Sequence, residues 1–128
     1  MNEPVWLTTE LVIAFHAEQL KLFGGPEGIR DKTMLESALG RPRNKFSYEE
    51  TDLADLAAAY AFGVAKNHPY VDGNKRAALL AAIVFLGLNG VDLVADNAEA
   101  VVIIRGLAAG EVAEEGFARW IRDTVART

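Results

Sequence analysis

Apolar residues recur along most of this chain at the three- and four-residue spacing of amphipathic helices. The first such stretch follows Thr8 or Thr9, either of which can cap a helix, and it stops at Gly24. A second stretch begins after Asp31. We expect Pro42 to end it, because proline lacks the N–H that a helix interior needs. The charged residues around and after Pro42 are then interpreted as a solvated loop.

The second half of the chain predicts four more helices and almost no strand. The third helix starts at Thr51 or Asp52 and ends near Asn67, because Pro69 disfavours helical dihedrals at His68. The remaining helices are expected over about 74–89, from a cap at Asp96 through Leu107, and over about 112–126. The predicted fold class is therefore all-α, with about six helices.

The fourth predicted helix is apolar on every side. Residues 77–88 form a run without one polar side chain, so the other helices must enclose it. We therefore expect a helical bundle built around a buried central helix at about 74–89. The apolar run is too short to cross a bilayer, and no membrane partner is expected.

The composition indicates an ordinary globular protein. With 128 residues, 51% of them hydrophobic and 24% charged, the chain is predicted to be one domain spanning 1–128. A net charge of −5 argues against direct nucleic-acid binding, which needs a basic face. The lack of cysteine excludes a disulfide framework and a thiolate metal site. The first residues do not resemble a signal peptide, so we expect a cytoplasmic protein.

The residues best suited to chemistry lie in one stretch between the third and fourth helices. It reads His68-Pro69-Tyr70-Val71-Asp72-Gly73-Asn74-Lys75-Arg76. The start of a helix has unpaired N–H groups and a positive partial charge, which together suit a phosphate. Lys75 and Arg76 lie in this first turn, where acidic residues are usual. The pattern therefore indicates an anion site with a base beside it.

Each polar residue of the stretch suits a part of phosphate chemistry. His68 can act as a general base, and Asp72 is an oxygen ligand of the kind that Mg²⁺ prefers. Gly73 lets the backbone approach a phosphate, and Asn74 can bind a phosphate oxygen or hold the loop. The two cations that follow can neutralise developing charge. Each residue also has an ordinary explanation as part of a turn or a solvated surface, and only their coincidence predicts transfer of a phosphate-containing group to a hydroxyl.

This stretch resembles the signature of the Fic/Doc superfamily, His-Pro-Phe-x-Asp-Gly-Asn-x-Arg. Tyr70 replaces the phenylalanine, which keeps an aromatic side chain and adds a hydroxyl. Lys75 stands where AMP-transferring Fic enzymes have glycine, and in this the chain is similar to the death-on-curing (Doc) toxins. The chain also resembles that branch in Leu11 to His16 with Gly24-Gly25, and over residues 28–31, 35–42 and 86–91.

The resemblance implies a Fic-like helical fold and a toxin encoded with a small antitoxin. The implied activity is phosphoryl transfer from ATP, with Mg²⁺, to a threonine of elongation factor Tu, which stops translation. His68 would be the base and Asp72 the magnesium ligand. The residues implied to hold the nucleotide phosphates are Gly73, Asn74, Lys75 and Arg76.

Inhibition by a separate protein agrees with a further feature of the sequence. Many Fic enzymes contain a self-inhibiting helix with glutamate four residues after a serine or threonine, and no Ser or Thr of this chain has one. The implied antitoxin would dock a helical segment in an apolar groove near the loop.

Two other functions stay open at this point. The same residues can serve AMP transfer, or a catalytically silent module can hold a phosphorylated partner at the basic helix end. The presence of His68 argues against the silent module, because anion binding alone needs no base. His16 is interpreted as a partly buried residue of the first helix rather than a site residue. Arg41 is interpreted as part of a structural ion pair or a helix-end contact.

Overall fold

The computed structural model describes residues 2–26 and 28–126, and over these residues the protein is all-helical. The helices are α1 (Thr9–Phe23), α2 (Lys32–Tyr48), α3 (Leu53–Asn67), α4 (Asn74–Leu88), α5 (Asn97–Ala109) and α6 (Glu114–Ala126). This confirms the predicted fold class, and α4 is the helix expected at about 74–89. None of these six helices combines the length and the hydropathy that crossing a membrane requires.

Side-chain caps explain where the helices begin. The hydroxyl of Thr8 and the carboxylates of Asp31 and Asp96 each accept hydrogen bonds from backbone N–H groups in the first turn of α1, α2 and α5. Asp52 and Asp55 form a reciprocal capping box at the start of α3. All four caps are local features of the sequence, and the predicted helix starts at these positions are confirmed.

Pro42 does not end α2, and the sequence-based prediction is wrong at this point. The helix continues to Tyr48 with Pro42 buried inside it. A proline in a helix interior costs about 3 kcal/mol, so tertiary contacts must hold the second half of α2. One of them is the ring of Phe46, which packs edge-on against Trp6 with 5.6 Å between the ring centroids.

Two of the charged residues expected in a solvated loop, Arg41 and Lys45, form a partly buried ion-pair cluster instead. Lys45, one helical turn after Arg41, donates to Oε2 of Glu114 at 3.0 Å, and Arg41 binds Oε1 of the same carboxylate. Burial raises the pKa of Glu114, but the hydrogen bonds from both cations outweigh it and hold the pKa below its usual value. The cluster joins α2 to the start of α6, which favours continuation of α2 past the proline.

The helices α3 and α4 form the centre of the bundle. α3 packs against α2, α4, α5 and α6, and α4 packs against α1, α3 and α5. The buried faces of the two central helices are rich in small residues, which allow helix axes to approach closely. These residues are Ala57, Ala58, Ala61 and Ala65 of α3, and Ala77, Ala78, Ala81 and Ala82 of α4. The loop between α3 and α4 is therefore fixed to the core at both ends.

An ion-pair network joins the start of α3 to α6. Nε of Arg122 donates to Oδ2 of Asp52 at 2.7 Å, and a second nitrogen of the guanidinium donates to Asp55. The hydrogen bond from Arg122 lowers the pKa of Asp52 to about 2. The carboxylates of the α3 capping box therefore also hold α6 in place.

The Asp52–Arg122 pair predicts a stability that depends on acid pH. Because the folded-state pKa of Asp52 is depressed, its contribution is present above the unfolded pKa of about 3.9 and is lost as the pH falls through about 2. In Arg122→Ala we expect an Asp52 pKa closer to 3.9 by NMR titration, and a flatter fall of the unfolding free energy between about pH 4 and 2. Arg119→Ala on the same helix is the control. An unchanged Asp52 pKa in Arg122→Ala would contradict this account.

Candidate functional site

The residues predicted to carry the chemistry lie around one cleft. Its volume is about 460 Å³. One wall is formed by the motif loop, residues 68–73, together with the first turn of α4, and α5 contributes to the rest of the lining. The predicted site residues that line the cleft are His68, Asp72, Gly73, Asn74, Lys75 and Arg76. The structure therefore brings together all six residues that the sequence singled out.

The N-terminus of α4 is open towards the cleft. Gly73 is the N-cap, it has no side chain to cap the helix, and the first turn contains no acidic residue. Within the described residues, neither Lys75 nor Arg76 has a carboxylate partner; the guanidinium of Arg76 lies 4.8 Å from the ring centroid of Phe23. The unpaired N–H groups and the two cations together make this helix end suitable for an anion.

His68 has an unusual backbone conformation. It caps the end of α3 with φ 47° and ψ 56°, and no other non-glycine residue of the described chain has a positive φ. Arg30 holds this conformation: its Nε donates to the carbonyl of His68 at 2.8 Å, and a second nitrogen donates to the carbonyl of Asn67 at 3.0 Å. A cation at these carbonyls also stabilises α3, because it lies at the negative end of the helix dipole. His68 is exposed and lines the cleft, and its backbone is held in a fixed conformation.

The segment before α2 holds the rest of the motif loop. The N–H groups of Arg30 and Asp31 donate to the carbonyl of Pro69 at 2.7 and 3.0 Å, and the N–H of Val71 donates to the carbonyl of Gly28 at 3.1 Å. These bonds surround an isolated antiparallel bridge between residues 29 and 70. A loop with so many backbone bonds keeps little conformational freedom, so its functional groups are held in place before a ligand binds.

His16 of α1 contacts the motif loop and supports it, a role that the sequence did not indicate. It is buried, not partly buried as predicted, with only 4% of its surface exposed. Its Nε2 lies 2.7 Å from the carbonyl oxygen of Asp72, and its ring stacks on Tyr70 with 3.6 Å between the centroids. A Cβ on Gly73 would lie 3.2 Å from the same Nε2, so this close approach favours glycine.

The amide of Asn74 hydrogen-bonds to the loop backbone. Oδ1 accepts from the N–H of Tyr70, and Nδ2 donates to the carbonyl of the same residue, both at 3.0 Å. Of the two uses that the sequence allowed for Asn74, this arrangement favours the holding of the loop. Its direct contact with a phosphate stays a prediction.

Asp72 lines the cleft, and its carboxylate lies beside Gly25. The side chain is exposed and has no hydrogen-bond or ion-pair partner in the part of the chain that the structure describes. A Cβ on Gly25, at the end of α1, would lie 2.5 Å from its Oδ2, and Gly25 also has a φ of 120°. A side chain at position 25 would therefore displace the carboxylate of Asp72, so the observed position of this carboxylate requires glycine there.

Sequence reasoning missed two cations at the site. Arg30 is not among the residues singled out for the site, although its side chain holds the backbone of His68. Arg105 of α5 lines the cleft, and it is the one charge in the apolar stretch 100–107. That isolation was the available signal, because a lone arginine on an apolar helix face needs a reason.

The fold and the cleft define a class of protein. A family model described as the Fic/DOC family matches residues 6–86. The match spans α1 to α4 almost entirely, including the complete motif loop. This chain therefore belongs to the Fic/DOC family.

Two relatives narrow the comparison. The chain is 36% identical over 117 residues to Protein kinase doc of Escherichia phage P1, and the match covers 91% of this chain and 92% of the relative. It is 45% identical over 76 residues to Toxin Doc of Mycolicibacterium smegmatis, which covers 58% of each chain. The similarity to a Doc protein thus extends over nearly the whole length.

Tyr70 stands where the family signature has phenylalanine, and we expect its hydroxyl to lower the stability of the protein. Tyr70 is buried, burial raises its pKa to about 12, and its hydroxyl has no hydrogen-bond partner among the described residues. An unpaired buried hydroxyl is unfavourable. We therefore expect Tyr70→Phe to raise the unfolding free energy by about 1 kcal/mol in urea titrations.

Tyr60→Phe is the matched control for this experiment. Tyr60 is equally buried, but its hydroxyl accepts a hydrogen bond from the N–H of Leu7 at 3.1 Å. Its removal should lower the unfolding free energy by about 1 kcal/mol. A loss of stability in Tyr70→Phe would show that its hydroxyl does have a partner in solution.

Proposed function

We propose that this protein is a toxin of the Fic/Doc kind that transfers the terminal phosphoryl group of ATP to a hydroxyl of a target protein. One observation carries the proposal: His68 lines the same cleft as the uncapped, basic N-terminus of α4. A base and an anion site that face one cavity are the two parts that this reaction requires. The names of both relatives support it, one as a protein kinase and both as Doc proteins.

The chemistry of the step follows from the positions of these groups. His68 accepts the proton of the target hydroxyl, whose oxygen attacks the terminal phosphorus of ATP. A bond forms between that oxygen and phosphorus, the bond to the bridging oxygen breaks, and ADP leaves with the electron pair. Lys75, Arg76 and the N–H groups of α4 stabilise the charge on the phosphate oxygens.

The free carboxylate of Asp72 fits a magnesium ion. Mg²⁺ is usually bound by one or two protein carboxylates together with water and the phosphates of a nucleotide, not by a full set of protein ligands. The described residues contain no cluster of three or more His, Asp or Glu side chains, so one carboxylate beside a phosphate site is the expected arrangement. When bound, the ion would neutralise negative charge on the phosphates.

Lys75 favours phosphate transfer over AMP transfer. A glycine at this position would leave space for a phosphate against bare backbone, whereas the lysine side chain fills that space and adds a charge. We propose that ATP then lies with its terminal phosphate towards the attacking hydroxyl. AMP transfer by the same residues is the alternative, and the mass of the modified target distinguishes the two.

The target and the partner are proposed from the family resemblance and the names of the relatives. The target is a threonine of elongation factor Tu, and its modification would stop translation. A toxin of this kind is expected to have a cognate antitoxin. We propose that a helical segment of that antitoxin docks beside the motif loop, where apolar side chains of the cleft such as Val71, Leu79 and Val101 are available.

The central test is the replacement of the proposed base. We expect His68→Ala to reduce the modification of purified elongation factor Tu in the presence of ATP and Mg²⁺ by at least about a hundredfold, and to remove the growth arrest caused by expression. Mass spectrometry of the intact target should show the added mass of phosphate with the wild type. Because His68 is exposed, circular dichroism should show an unchanged fold.

Three results would contradict the proposal. If the target gains the mass of AMP and not of phosphate, the reaction is nucleotidyl transfer and the kinase proposal is wrong. Full growth arrest in His68→Ala would remove the catalytic role and favour a silent phosphate-binding module. If elongation factor Tu stays unmodified while another host protein gains phosphate, the proposed target is wrong and the reaction stands.

A second variant tests the role of Lys75 directly. We expect Lys75→Gly to lower phosphate transfer and to produce AMP-modified target, because ATP can then place its α-phosphate against the backbone. Asp72→Ala is the control, since loss of the metal ligand should reduce both products. If Lys75→Gly transfers phosphate at the wild-type rate, Lys75 does not orient the nucleotide.

A further inference from the structure

The cleft contains a third cation, which α5 supplies. Arg105 lines the cleft together with Val101, which lies one turn earlier on the same face of α5. The Arg105 side chain is exposed, and it has no hydrogen-bond or ion-pair partner within residues 2–26 and 28–126. The contacts of the described residues therefore leave the Arg105 guanidinium available to a ligand of the cleft.

The packing of α5 holds Arg105 at the cleft. Its neighbour Ile104 is buried, and Leu107, which lies on the same face of α5 as Ile104, has no exposed surface. Gly106 lies so close to the turn before α6 that a Cβ there would be 2.6 Å from a methyl of Val112. A rotation of α5 that moved Arg105 away from the cleft would expose the two apolar residues and break this contact, so the backbone of Arg105 stays beside the cleft.

The residues that line the cleft carry an excess of positive charge, whereas the whole chain is negatively charged. The chain has a net charge of −5. Among the residues that line the cleft there are three cations, Lys75, Arg76 and Arg105, and one carboxylate, Asp72. A concave surface with an excess of one charge concentrates ligands of the opposite charge. Since these cations lie on two different helices, the arrangement suits an extended polyanion better than a single phosphate.

We infer that Arg105 is a phosphate-binding residue that makes the cleft select a nucleoside triphosphate over a monophosphate. The inference rests on the proposed function, because it takes the ligand of the cleft to be ATP. A guanidinium can bind two phosphate oxygens with parallel hydrogen bonds, which a lysine cannot do. A triphosphate can contact the start of α4 and Arg105 at the same time, whereas AMP has one phosphate to share between them.

The test compares the dissociation constants of ATP, ADP and AMP, measured by calorimetry with Mg²⁺ on the full chain. We expect Arg105→Ala to weaken ATP binding about tenfold and AMP binding by no more than about twofold. Arg105→Lys should give an intermediate value for ATP. Arg119→Ala, which removes an exposed arginine of α6 outside the cleft, should bind all three nucleotides like the wild type.

The outcomes separate this inference from the proposed function. If Arg105→Ala binds ATP like the wild type while Lys75→Ala loses affinity, Arg105 is not a phosphate ligand and the proposed function stands. If Arg105→Ala weakens ATP and AMP equally, the selection of the triphosphate is refuted. A wild-type protein that binds none of the nucleotides refutes the proposed function itself. Because Arg105 has no hydrogen-bond or ion-pair partner among the described residues, its variants should melt at the wild-type temperature, which circular dichroism checks.

Discussion

The close packing of α3 against α4 is the interaction on which the candidate site depends. Both helices bury rows of alanines, and small side chains let two helices approach closely and leave little room for adjustment. The motif loop connects the two helices directly, from Asn67 to Asn74. Its ends therefore cannot move independently, and the position of His68 relative to the N-terminus of α4 follows from the core.

The loop itself is held by a second set of contacts. Arg30 binds the carbonyl of His68, Asn74 binds the backbone of Tyr70, and His16 lies against the carbonyl of Asp72. These three polar side chains use hydrogen-bonding groups on the loop backbone. The imidazole of His68, the carboxylate of Asp72 and the cations of α4 consequently stay available to a ligand. Such a division between holding and acting residues is what a preorganised site needs.

The positive charge of the cleft contrasts with the net negative charge of the whole chain. Three carboxylates elsewhere in the protein belong to structural networks: Asp52 and Asp55 bind Arg122, and Glu114 binds Arg41 and Lys45. Among the residues that the structure describes, the cations that line the cleft have no carboxylate partner. A polyanion that enters the cleft therefore meets three such cations beside the proposed base.

The fold class, most helix starts and the six site residues of the stretch from His68 to Arg76 were determined by the sequence itself. Helical periodicity, caps such as Asp31 and Asp52, and a basic stretch at a helix start are local features, and short-range physics decides them. The path of α2 through Pro42, the burial of His16 and the presence of Arg105 in the cleft were decided only by the tertiary structure. Each depends on groups far apart in the chain, since Glu114, Tyr70 and the motif loop become neighbours of these residues only after the helices pack. A local pattern contains no information about such contacts, because their energy comes from the assembled core.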